Sequence, residues 1–148
     1  MNKRWQWAGG LMVLATIIVL GALTTQVRSH GDHGHTPLQE SMAKLNSNLR
    51  QIKKQLADKA LTPASADLLV EMQQATIVAR QQEPPAVKDV PAAQREAFVR
   101  GYRLKMVELH RVLLEMEAAA LGGKSDAVAA GVRQLDALTK EGHKTYNP

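Results

Sequence analysis

The stretch LQESMAKLNSNLRQI, Leu38 to Ile52, decides how this chain is to be read. Leu38, Met42, Leu45, Leu49 and Ile52 recur at steps of four, three, four and three, which is one apolar stripe along one face of a helix. The residues just before it are a start signal. The Thr36 hydroxyl can accept a free backbone N–H, Pro37 has no N–H to lose at the first helical position, and Gln39 can reach back to the cap. A helix is expected from Pro37 to about Asp58. One member of its stripe is a thioether, so Met42 either fills a gap in a core or presents its sulfur to something.

Working outward, the same pattern recurs three times. Thr62-Pro63 repeats the cap chemistry and opens a helix to about Gln82. The segment EPPAVKDVP breaks the chain, since its prolines fix the backbone and remove donors. A third helix is expected from about Pro91 to Leu121, with Phe98, Tyr102, Met106, Leu109, Leu113, Met116 and Ala120 on one stripe, ended by Gly122-Gly123. A fourth starts near Ser125-Asp126 and carries Val128, Val132, Leu135, Leu138, Gly142, His143 and Tyr146. Three short connections between four one-sided helices predict an all-α, antiparallel, up-down-up-down four-helix bundle over residues 37–148. The composition agrees, with aromatics at 3%.

The chain before Thr36 is of another kind. Lys3 and Arg4 precede an apolar run from Ala8 to Leu23, and Val27-Arg28-Ser29 places small residues where a signal peptidase inspects. Residues 1–29 are read as an export signal. The alternative is an uncleaved anchor, with membrane contact only through residues 8–25. Either way the bundle lies outside the cytoplasm, in the periplasm. Of the 19 basic residues three lie in this leader, leaving 16 against 14 acidic ones. No basic stripe with interleaved aromatics exists, so nucleic acid is excluded as a partner. With no cysteine there is no disulfide, thiolate metal site, thiol nucleophile or covalent haem attachment. Residues 30–36 form a His-rich linker. His30, His33 and His35 in HGDHGH could chelate Cu, Ni or Zn, though a flexible polar linker is the more ordinary reading.

The topology puts the start of the first helix and the end of the fourth at one end of the bundle. Met42 and His143 then lie at similar depth, roughly 8 Å in at ~1.5 Å per residue, both expected on inward stripes. Met72, Phe98 and Tyr102 belong to the same half of the core. Each residue has an ordinary reading, Met42 as core filler and His143 as a cation at a helix C-terminus. As a facing pair they are also the axial ligand set of a low-spin haem.

The chain from Pro37 to Tyr146 resembles the soluble cytochrome b562 family. The likeness lies in LQESMAKLNSNLRQI, in MQQATIVARQQEPPAVKD, in FVRGY and in QLDALTKEGHKTY. The resemblance implies a non-covalent haem b with Met42 and His143 on its iron, Leu45, Met72, Phe98 and Tyr102 packed on the haem, and single-electron transfer rather than catalysis. It also implies a monomer working with a periplasmic redox partner. The family's best-known member has Arg one turn before the ligand His and at the C-terminus, where this chain has Thr139 and Asn147, and an aromatic residue where this chain has Gly142. Two other readings stand beside it: a divalent-metal-binding periplasmic bundle, and a structural bundle without cofactor. The charges Arg95, Arg100, Arg103 and Lys105, with His110, are read as a solvated face of the third helix.

Overall fold

The structure, a computed structural model, describes residues 36–147. The leader, its anchor alternative and His30, His33 and His35 lie outside the described residues. Within them are four α-helices: α1 (Pro37–Ala57), α2 (Ser65–Arg80), α3 (Ala92–Leu121) and α4 (Ser125–Tyr146), with one short 3-10 helix (Pro85–Asp89) and no strand. α1 packs on α2, α2 on α3 and α3 on α4, while α4 closes against α1 by the least extensive contact of the four. This is the expected four-helix bundle.

Local chemistry sets the ends. The Thr36 hydroxyl accepts from the Gln39 backbone N–H at 3.2 Å, and the Gln39 side-chain Oε1 accepts from the Thr36 N–H at 2.8 Å, a complete capping box. α2 departs from the expected cap. It begins at Ser65, and Thr62 contributes no side-chain cap. The Ser65 hydroxyl instead accepts from the Thr62 N–H at 3.0 Å, and the Ser65 N–H returns to the Thr62 carbonyl at 2.9 Å. That closed turn occupies the groups a cap at Thr62 would have needed. After α3, Gly123 takes φ +66°, a conformation open to a residue without Cβ.

α2 is 16 residues long and α3 is 30. The shortfall is made up by the proline segment, whose 3-10 helix packs on α3 and α4. Each proline has a place: Pro84 is fully buried, Pro85 opens the 3-10 helix and Pro91 precedes α3. The main core holds Ile52, Leu69, Met72, Leu113, Met116, Val128 and Leu135 from all four helices. A second cluster, Ala79, Tyr102 and Met106, lies toward the chain termini.

Candidate functional site

Met42 is the residue common to both clusters, half-buried and packed against each. It faces α4 across the α1–α4 seam. A cleft there is lined by Met42, Leu45 and Leu49 of α1, Met72 of α2, Leu109 of α3, and Leu135 and His143 of α4. Asn46 and Thr139 complete it. A thioether from the first helix and an imidazole from the last therefore share one apolar cleft, although about a hundred residues separate them in the chain. Closed as it is, the cleft has about 30 Å³ of room, enough for a water and not for a macrocycle. Widening it means parting the seam that holds the fewest contacts. Further along, the seam is bridged by Lys53 Nζ and Asp136 Oδ1 at 2.7 Å, both about half exposed.

His143 does not sit on the inward stripe, as the sequence reading expected; it is exposed at the rim. The reason is angular. At 100° per residue, the line through Val128, Val132, Leu135, Thr139, Gly142 and Tyr146 points inward, and His143 stands to one side of it. Gly142, beside it, offers no side chain to crowd the imidazole.

Leu45 and Met72, which the resemblance places against a haem, line the cleft. Phe98 and Tyr102 do not line it. They meet Tyr146 instead, whose ring centroid is 5.0 Å from that of Phe98 and 5.5 Å from that of Tyr102, in the neighbouring cluster that Met42 also packs against. Tilted, edge-to-face aromatic contacts of this kind add about 0.5–1.5 kcal/mol each beyond area burial. The Tyr102 hydroxyl donates to the Ala79 carbonyl at 2.9 Å and ties the end of α2 to α3. Burial pushes the phenol of Tyr102 up to about 12, so it stays protonated. Gly101 explains the close fit. A Cβ there would stand 2.8 Å from the Tyr146 hydroxyl, so a residue costing about 1 kcal/mol against Ala in a helix lets the ring in. The Gly-Tyr step in FVRGY was the available signal for it.

Sequence reasoning did not assign Leu49, Leu109, Leu135 and Thr139 to the site, though the first three lie on the expected stripes and Thr139 on the inward line of α4. Asn46 lies off the stripe and carries no sequence signal. Electrostatics near the site are modest. Lys105 bonds Glu141 across the α3–α4 seam at 3.1 Å and Glu108 at 3.3 Å, which raises its pKa. A larger concavity, about 630 Å³, lies between the 3-10 helix and α3 among Lys88, Arg95, Val99, Arg100 and Arg103. It contains none of the ligand candidates and nothing but exposed charge to orient a small molecule, so the smaller cleft is the better candidate.

The residues present fit a haem. The donors are a soft thioether and an imidazole, the set used for six-coordinate haem iron. They come from facing helices at one level, the walls between them are aliphatic, and the seam is the loosest in the bundle. Among the described residues no group of three or more His, Asp or Glu side chains could hold a bare metal ion, and no helix is long and apolar enough to cross a membrane. No curated protein matches the chain at a significant level. The family model for Cytochrome b562 matches residues 37–147.

Proposed function

Because the chain belongs to the cytochrome b562 family, a family of haem-binding electron-transfer proteins, we propose that its bundle holds one non-covalent haem b through Met42 and His143 and passes single electrons in the periplasm. The observation that carries this reading is the convergence of Met42 and His143 on one aliphatic cleft at the α1–α4 seam. Haem, when bound, supplies a one-electron iron centre. The chain supplies the rest. Met42 offers a neutral thioether, which favours the ferrous state and a fairly high potential. His143 offers an imidazole nitrogen, and a haem held by both donors would be suited to passing electrons rather than to binding oxygen or substrate. Leu45, Met72 and Leu135 exclude water from between the donors. The absence of cysteine leaves non-covalent binding as the means of retention. The periplasmic placement rests on the leader read in residues 1–29, and the redox partner belongs to the same compartment.

An absorption spectrum tests the reading. Purified protein incubated with haem is expected to show a sharp Soret band and narrow reduced-state bands of low-spin iron. Met42→Leu keeps most of the volume and should fold, bind haem more weakly and turn high-spin. His143→Ala should lose more of the affinity. A wild-type protein without reduced-state bands, or a Met42→Leu protein that stays low-spin, refutes the ligand pair.

A further inference from the structure

α3 has a second apolar row, on the side away from the core. Leu104, Val107, Leu114 and Leu121 are exposed by 63%, 46%, 47% and 58%. With Arg111 and Ala118, also exposed, they fall at steps of three, four, three, four and three. That is the a/d spacing of a helix that pairs with another helix. Taking 100° per residue, the row stands roughly opposite the inward stripe of Tyr102, Met106, Leu109, Leu113, Met116 and Ala120. Single exposed leucines need no explanation; a heptad row spanning roughly 26 Å at 1.5 Å per residue does. No described residue covers it.

The charges beside the row say what does. The first half of α3 carries Arg95, Arg100, Arg103 and Lys105 against Glu96. The second half carries Glu108, Glu115 and Glu117 against Arg111. Two parallel α3 helices would set like charge on like. Two antiparallel ones set the basic half on the acidic half at both ends, a self-complementary arrangement with a two-fold axis. Arg103 and Glu117 each stand one residue before an a-type position, Leu104 and Ala118, on the same flank of the row; with Leu104 set against Leu121 of the second copy they stand five residues apart along the axis, about 7.5 Å at 1.5 Å per residue, a gap two long side chains can span. Arg111, near the axis, is neutralised by its own Glu115 at 2.8 Å.

We propose that this face of α3 is a homodimer interface, in which α3 helices of two copies pair antiparallel through Leu104, Val107, Leu114, Ala118 and Leu121, with Arg103 against Glu117 at each end. The interface is separate from the α1–α4 cleft, and α3 contributes only Leu109, from its other side, to that cleft. One helical row is smaller than the roughly 1,600 Å² of a standard interface, so the dimer is weak, with a dissociation constant on the order of 10–100 µM. This departs from the monomer implied by resemblance and does not depend on haem.

Sedimentation equilibrium of the purified protein across roughly 5–300 µM tests it, the range being set around that constant. The apparent mass should climb from the monomer toward twice that value. Leu114→Glu, at an exposed position, should keep its circular dichroism and stay monomeric. Arg103→Glu should weaken association about tenfold, and the double variant Arg103→Glu with Glu117→Arg should restore it, because the swap recreates both pairs. A wild-type protein that stays monomeric throughout, a dimer untouched by Leu114→Glu, or a failure of the charge swap to rescue each overturns the proposal. So does a wild-type monomer that dimerises only after removal of residues 1–29, since the row would then be covered by the chain's own apolar segment.

Discussion

The two halves of the bundle are built from the same four helices and packed differently. Toward the α1–α2 and α3–α4 turns, Ile52, Leu69, Leu113, Met116 and Val128 are withdrawn from solvent, so every helix contributes a fully buried side chain. Toward the termini, the buried cluster of Ala79, Tyr102 and Met106 comes from α2 and α3 alone. There α1 offers a half-buried Met42 and α4 an exposed His143. One half is a finished core. The other is a wall made by two helices, faced by two that leave their apolar surface incompletely paired. Admitting a flat apolar cofactor there would mean parting the α1–α4 seam, the least extensive of the four helix contacts.

The largest effect expected from breaking this asymmetry lies in the finished half. Ile52→Ala should lower stability by about 2–5 kcal/mol, the range for deleting a buried aliphatic side chain without full collapse of the cavity. Urea denaturation of the haem-free protein measures it, and haem stoichiometry at low temperature should be unchanged. In the open half Tyr102→Phe should cost about 1 kcal/mol, the loss of one neutral hydrogen bond to Ala79, seen as a shift in the urea midpoint without a change in slope. His143→Ala should alter the stability of the haem-free protein by less than about 0.5 kcal/mol, as for other exposed positions, while abolishing tight haem binding. A large loss of haem-free stability would show that the imidazole serves the fold.

The smallest effect is a pH dependence. His110 sits on α3 with a buried Nδ1 that has no partner, and desolvation, then the nearby Arg80 charge, lowers its pKa. The folded state therefore takes up a proton less readily than the unfolded one. Stability present at neutral pH should fall as pH drops through the ordinary histidine value of about 6.5 and level off below the lowered one. Urea midpoints of wild type and His110→Gln between pH 7.5 and 5 should diverge in that direction, and parallel curves would show that His110 is not the group responsible.

How much of this was legible in the chain follows from the kind of signal each feature leaves. α1 could be read almost to the residue, because its capping box is local chemistry and its stripe a local period. The start of α2 could not. Thr62-Pro63 and Thr36-Pro37 look alike in sequence, and only the Ser65 hydroxyl, turning back to the Thr62 N–H, separates them. Leu45 and Met72 were placed on the core side of their helices and are found in the cleft. Phe98 and Tyr102 share that pattern, yet they pack on Tyr146 outside it. A helical period fixes which side of a helix a residue occupies, and not which neighbour meets it there.

The sequence by itself determined the four helices, their order and the end of the bundle at which Met42 and His143 lie, because periodicity, caps and short loops are interactions within or between adjacent segments. Tertiary structure alone decided that the α1–α4 seam is the loose one, that His143 stands at the rim, and that Gly101 admits the Tyr146 ring. It also decided that no described residue covers the outer row of α3. Each of these is a relation between surfaces far apart in the chain, and its outcome depends on helix rotation and separation, which local chemistry leaves free and packing of the whole bundle sets.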